Sequence, residues 1–142
     1  MSNPSIRIKK IWEDETLIEC RLEFFTTSSK VSLDVYTTIA DLEELRQGII
    51  HFNPVAGAEW IWTSGENTDE TTHYLSVRFF NHTNRGHVGL EIILDNKQDV
   101  PESLYSHFYI LTELNQLDDF ALKLKLLINK DVSEIEGLLP TS

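Results

Sequence analysis

The stretch from His73 to Leu94 constrains the fold of this chain more than any other part of its sequence. Apolar and polar residues alternate along its first half, and after a polar turn the alternation resumes along its second half. Because side chains alternate between the two faces of a strand, this pattern indicates an antiparallel hairpin with one buried face. The apolar positions of the two strands are Leu75, Val77, Phe79, Val88, Leu90, Ile92 and Leu94. The hairpin predicts a sheet, but it indicates no reaction.

The rest of the sequence predicts further strands and two helices. Alternation predicts strands near residues 6–11, 16–26, 31–36, 58–62 and 104–111. A helix capped by Thr38 is predicted from apolar residues spaced three or four apart, which are Ile39, Leu42, Leu45 and Ile49. A second helix is predicted over residues 114–129, with a buried stripe of Leu114, Leu117, Ala121, Leu124 and Ile128.

This order of elements predicts an α+β fold. We expect a largely antiparallel sheet of about six to seven strands, with the two main helices packed on one face. A chain of 142 residues has the usual size of one domain, so we expect a single domain over residues 1–142. For residues 131–142 we predict a weakly structured tail. This tail either docks on the core, frays or contacts a second copy.

The charge of the chain is strongly acidic. It has 23 Asp and Glu residues against 12 Lys and Arg residues, a formal net charge of -11. A phosphate backbone would be repelled at long range, so direct binding of nucleic acid is disfavoured. The same field would speed encounter with a basic protein, although it also simply keeps a protein in solution.

The single cysteine and the absence of a long apolar run exclude several classes of structure, namely disulfide scaffolds, cysteine-based zinc sites and membrane-spanning segments. With Cys20 alone, one chain can build neither an intramolecular disulfide nor a cysteine-based zinc site. Cys20 shares a strand face with apolar residues, and Glu19 and Glu23 beside it disfavour a thiolate, so we predict a small buried side chain. No run approaches the roughly 20 apolar residues that cross a bilayer, and we expect a cytoplasmic protein without a membrane partner.

Residues suited to chemistry gather at the hairpin turn. His82, Arg85 and His87 surround it, and with a carboxylate from Asp69 or Glu70 the histidines could form a metal site or an acid and base pair. The alternative is that these residues serve turn geometry and are solvated. No phosphate loop, nucleophile elbow or paired-histidine zinc motif occurs. We therefore predict no catalytic residues, metal or cofactor.

Two tryptophans and an acidic loop are candidates for protein recognition. Trp60 and Trp62 share a strand face, so they either cover the core or, if the opposite face is buried, form an exposed anchor. The loop that follows contains Glu66, Asp69 and Glu70, which would suit a basic partner.

Part of the sequence resembles the WapI-type immunity proteins of bacterial toxin systems. The resemblance covers about residues 16–129 and rests on TIADLEEL at residues 38–45, the run Arg85-Gly86-His87-Val88, and the leucine-rich closing helix. It implies a non-catalytic protein that binds and neutralises a cognate toxin, commonly a nuclease, inside the cell that makes it.

The predicted function is therefore an acidic, immunity-like protein-binding domain with a basic partner. The predicted partner-binding residues are Trp60, Trp62, Glu66, Asp69, Glu70, Arg85 and His87. Two alternatives stay open. One is a scaffold that dimerises through an edge strand or the tail, and the other is a small-molecule or metal-dependent enzyme that uses His82 and His87.

Overall fold

The segments with alternating apolar and polar residues form strands, and these strands lie in two sheets. The structure is a computed structural model that describes residues 4–53, 55, 57–68, 71–83 and 87–138. In these residues it has eight strands and two helices. In chain order they are β1 Ser5–Glu13, β2 Ile18–Phe25, β3 Lys30–Thr37, α1 Ile39–His51, β4 Glu59–Gly65, β5 Tyr74–Asn81, β6 His87–Asp95, β7 Tyr105–Glu113, α2 Leu114–Ile128 and β8 Glu134–Gly137.

The strands form two antiparallel sheets of four. The first sheet has the order β3-β2-β1-β8, and the second has the order β4-β5-β6-β7. The predicted α+β class is confirmed, but the single sheet of six to seven strands is wrong. Alternation shows that a segment is a strand and says nothing about its neighbours. The helix α1 leads the chain from β3, at the edge of the first sheet, to β4, at the edge of the second.

The end of the chain completes the first sheet. We predicted a weakly structured tail, yet residues 134–137 form β8 and pair with β1, with Ile8 opposite Ile135. Ile135 and Leu138 are buried. This part of the tail docks because it carries two apolar side chains. They reach the core when the backbone of β8 is held against β1. Residues 139–142 lie outside the described residues.

One apolar cluster joins both sheets and both helices. It contains the whole predicted hairpin face from Leu75 to Leu94, together with side chains of the first sheet such as Leu22 and Phe24. Cys20 is buried in it, and burial raises the pKa of its thiol to about 11. The prediction of a small buried cysteine side chain is confirmed, and a thiol with that pKa is hardly ionised at neutral pH.

The helices begin where the sequence predicts. The Thr38 side chain accepts a hydrogen bond from the Asp41 backbone nitrogen at 3.0 Å and so caps α1. Ile39 lies in the first turn and is exposed, whereas the rest of its predicted stripe is buried. In α2 the buried positions are Leu117, Phe120, Ala121, Leu124 and Leu127. The predicted stripe is therefore partly wrong, because Leu114 and Ile128 are only half-buried and Phe120 and Leu127 face the core in their place. In the described part of the chain, neither helix is long and apolar enough to cross a membrane.

Candidate functional site

The predicted partner-binding residues do not lie at one place. In the second sheet, the β4–β5 and β6–β7 connections leave one end, and the β5–β6 turn leaves the opposite end. Glu66 follows β4 at the first end, and His87 begins β6 at the other. The eight residues of β5 separate them by roughly 24 Å, at the usual rise per residue of a strand. Asp69, Glu70 and Arg85 lie outside the described residues.

The end of the second sheet with the β4–β5 and β6–β7 connections is acidic. Lys97 in the β6–β7 connection donates to the Asn67 side chain at 2.9 Å and pairs with Asp95 at 3.5 Å, so the two connections are held together. We call the carboxylates Glu66, Asp95, Asp99 and Glu102 the acidic end. Within the described ranges, no lysine or arginine pairs with three of them, which are Glu66, Asp99 and Glu102.

The two predicted tryptophans face the core. Trp62 is buried, and its Nε1 donates to the Asp41 carbonyl at 3.2 Å. Trp60 is half-buried, stacks on Phe79 with 5.3 Å between ring centres, and covers Gly48 of α1, where a Cβ would overlap the indole. The core interpretation is confirmed and the exposed tryptophan anchor is wrong, because Ile61 between them points outward. Gly48 is explained by this contact.

The hairpin histidines serve the turn. The His82 backbone nitrogen donates to the His87 carbonyl at 3.0 Å, and the His87 Nδ1 lies 2.8 Å from the Thr83 hydroxyl. Both imidazoles are exposed. Across the described ranges, no three His, Cys, Asp or Glu side chains are grouped so that they could hold a metal ion. This geometry agrees with the turn interpretation of the two histidines.

A buried serine and histidine pair lies near the acidic end. His73 Nε2 is 2.8 Å from the Ser64 hydroxyl, and both residues are buried. Burial lowers the pKa of His73. The serine could act as a nucleophile only if a substrate reached it, and its burial prevents that. The pair therefore satisfies two polar groups inside the protein.

A cavity between the two sheets is also unsuited to catalysis. It is apolar, has a volume of about 40 Å³ and is lined by residues such as Cys20, Thr37 and Trp62. No histidine lines it. A space of this size holds one or two water molecules, which is too little for a substrate.

The outer face of the second sheet, meaning the side of β4–β7 turned away from the core, carries a network that the sequence alone did not reveal. Ile61, Arg78, Glu91 and Tyr109 lie side by side across the four strands. The Glu91 carboxylate accepts hydrogen bonds from Arg78 Nε at 2.7 Å and the Tyr109 hydroxyl at 2.9 Å. It also lies 2.7 Å from His107 Nε2. These partners, Arg78 first, lower the pKa of Glu91 to about 2.

The Glu91 network predicts a pH dependence of stability. The carboxylate has a pKa of about 2 in the folded chain, against 4.5 for the unperturbed group. The unfolded chain therefore binds the proton first, and stability is lost as the pH falls from about 4.5 toward 2. We expect Glu91→Gln to lower stability at neutral pH and to flatten this acid limb. Urea unfolding between pH 2 and 7 measures both effects, and Glu66→Gln, which has no described cationic partner, should keep the wild-type profile. An unchanged acid limb in Glu91→Gln would contradict the network.

Around this network the outer face exposes large apolar side chains. Ile61 and Leu111 are each 49% exposed, Tyr109 is 52% exposed and Tyr105 is 65% exposed. Arg78 lies over the Phe80 ring, with 4.4 Å between its guanidinium carbon and the ring centre. Regular strands hold these groups on one side of a sheet. Such an arrangement suits packing against another protein, where aromatic residues and arginine are enriched.

Comparisons with known proteins find a structure with a similar fold, and they assign the chain to no family. No family model matches the sequence, and no curated protein matches it. A solved structure described as that of the plant transcriptional regulator PBF-2 is similar, with a TM-score of 0.52 and 7% sequence identity. The match covers 90% of this chain and 76% of that one. At this identity the likeness shows a related arrangement of strands and helices, and nothing about activity.

Proposed function

We propose that this protein is a non-catalytic, acidic protein-binding domain. Its role is that of a cytoplasmic immunity protein that binds a basic toxin, such as a nuclease domain, and neutralises it. The observation that carries the proposal is the outer face of the second sheet, where Ile61, Tyr105, Tyr109 and Leu111 are exposed and Tyr105 lies beside Asp95 of the acidic end.

The distribution of charge supports a basic partner. Nine of the eleven described lysines and arginines lie within 4.0 Å of a carboxylate of this chain, so most of this positive charge is neutralised locally. The surplus carboxylates then set the field at the acidic end. A nuclease needs a basic cleft for its substrate, and an acidic surface can occupy that cleft.

A role in the regulation of transcription, like that of the plant transcriptional regulator PBF-2, has less support. The net charge of -11 would repel a phosphate backbone. Around the outer face, Arg78 is already paired with Glu59 and Glu91. A protein that binds nucleic acid would instead present unpaired basic residues.

Two pairs of variants test the proposed function. The first pair compares Ile61→Ser, on the outer face, with Leu122→Ser, which is 67% exposed on α2. The second pair compares Glu66→Lys/Glu102→Lys with Glu15→Lys/Asp131→Lys, which changes the net charge equally but away from the acidic end. Each variant serves as bait in a lysate of the native organism, at low and high salt, with bound proteins quantified by mass spectrometry.

We expect one basic protein to bind stoichiometrically to the wild type and to both control variants. Ile61→Ser should retain at least about tenfold less of it, and Glu66→Lys/Glu102→Lys should slow its association at low salt, since steering by charge is a rate effect. The purified partner should lose its activity when the wild-type protein is added at one equivalent. Equal recovery by all five baits, or a partner that stays active in the complex, would overturn the proposal.

A further inference from the structure

Four strands lie at the edges of the two sheets, and they are not equally protected. The edges are β3 and β8 in the first sheet and β4 and β7 in the second. An edge strand presents backbone N–H and C=O groups that can pair with another chain, and proteins usually block this with charge, short length or a covering element.

Three of the edges have such protection. The strand β8 has four residues, two of which are Glu134 and Glu136. The strand β3 carries Lys30 and Asp34 on its exposed side. The strand β4 begins with Glu59 and packs against α1 through Trp60.

The strand β7 is neither short nor charged along its length. It has nine residues, Tyr105–Glu113, and none of them is lysine, arginine or proline. Its only carboxylate is Glu113, at one end. On its outer side it exposes Tyr105, Tyr109 and Leu111. By the rules that describe natural edge strands, the outer backbone groups of β7 are open to pairing with another chain.

We propose that β7 pairs antiparallel with β7 of a second copy, around a two-fold axis at Tyr109. In that register Tyr109 faces its own copy, Phe108 faces Ile110, and Tyr105 faces Glu113 of the second copy. Aromatic pairs stabilise a sheet, and a tyrosine hydroxyl can donate to a carboxylate. The remaining pairs place His107 opposite Leu111 and Ser106 opposite Thr112. No pair sets two like charges against each other.

A second copy is favoured over other strands for two reasons. Tyr109 is the central residue of β7, so the two-fold register uses the full length of the strand. Each copy carries a net charge of -11, yet the two Glu113 side chains would be roughly 27 Å apart along the paired strands, beyond the Debye length at physiological salt. The two Glu113 side chains therefore barely repel each other at physiological salt. Glu113 of each copy would instead lie near Asp95 of the other, because Asp95 is the β6 residue opposite Tyr105, and salt screens this repulsion.

Pairing would join the two outer faces into one sheet of eight strands. The exposed tyrosines of both copies would then lie on a continuous surface. The proposed dimer does not depend on the proposed function. The two proposals predict opposite effects of salt on association. A basic partner is released by salt, whereas two acidic copies associate more tightly when salt screens their repulsion.

Sedimentation velocity of the purified chain tests the dimer. We expect a species of twice 16.4 kDa that becomes more populated with protein concentration and with salt. The variants Leu111→Lys and Ile61→Lys form a matched pair, since both side chains are 49% exposed on the same face but on opposite edge strands. Leu111→Lys should weaken dimerisation at least about tenfold, as lysine blocks an edge strand, and Ile61→Lys should leave it unchanged. A wild type that stays monomeric at about 0.5 mM in high salt, or equal behaviour of the two variants, would overturn the proposal.

Disulfide trapping tests the register. In the proposed dimer the Cβ atoms of the two Tyr109 residues are about 4.5–5.5 Å apart, slightly beyond the roughly 3.5–4.5 Å of a disulfide, so cysteines there join after a small shift of the two strands. Tyr109→Cys should give a covalent dimer under mild oxidation, and Ile61→Cys should not; native Cys20 is buried and does not interfere. Circular dichroism shows whether each variant is folded. A folded Tyr109→Cys protein that forms no covalent dimer would overturn the axis at Tyr109.

Discussion

Replacing Phe79 by alanine is expected to lower the free energy of unfolding by about 3–5 kcal/mol. Phe79 is 2% exposed and lies where the second sheet meets α1 and the loop that follows it. Its ring stacks on Trp60 and lies 6.3 Å, centre to centre, from Phe52. Removing it leaves a void next to the existing cavity between the sheets, and these two large neighbours cannot close it without moving α1.

The next residue supplies the control. Phe80 has the same side chain in the same strand, but it points to the outer face and is half-buried under Arg78. Phe80→Ala should cost only about 1 kcal/mol, because it removes one cation contact and part of a solvated surface. Urea unfolding of both variants, followed by circular dichroism, gives the comparison. Equal losses would mean that the two faces of β5 are assigned wrongly.

Replacing Gly65 by alanine is expected to cost about 2–5 kcal/mol. Gly65 has a positive φ of 77°, which costs an L-residue roughly 1–2 kcal/mol. An added Cβ would also overlap the carbonyl oxygen of His73, the residue before the paired strand β5, and overpacking adds about 1–3 kcal/mol. A backbone oxygen cannot turn aside as a side chain can. The substitution should therefore disturb the Ser64 and His73 hydrogen bond at this end of the sheet.

Gly57 separates the two causes of that loss. It has nearly the same φ, 78°, but no described atom lies within 4 Å of the position its Cβ would take. Gly57→Ala should cost only the backbone strain, roughly 1–2 kcal/mol. Thermal and urea unfolding of the two variants measure the difference. If Gly57→Ala were as destabilising as Gly65→Ala, the contact with His73 would not be the reason.

Much of the secondary structure was predictable from local pattern. The alternation at Leu75, Val77 and Phe79 survives in the structure because one face of β5 is buried along its whole length. Thr38 was recognisable as a cap because its hydroxyl bonds to a backbone nitrogen only three residues away. Such signals are contained within a few residues, so a single sequence displays them.

The candidate site was only partly predictable. The sequence placed Tyr105, His107 and Tyr109 on one strand face, but it did not show that Glu91, on β6, would collect hydrogen bonds from β5 and β7. Trp60 and Trp62 share a face, as predicted, yet which face is buried depends on the position of α1. Glu66 and His87 are at opposite ends of the second sheet because of strand order, which periodicity does not encode.

By itself the sequence determined the α+β class, the faces of most strands, most positions of the helix stripes, the buried cysteine and the acidic charge, since each depends on composition or on spacing along the chain. Only the tertiary structure decided that the strands divide into two sheets, that β8 returns to β1, and that β7 lies at an edge of the second sheet. Those outcomes depend on which distant segments share backbone hydrogen bonds. Every residue carries the same N–H and C=O groups, so the choice is made by how the buried faces fit together in space.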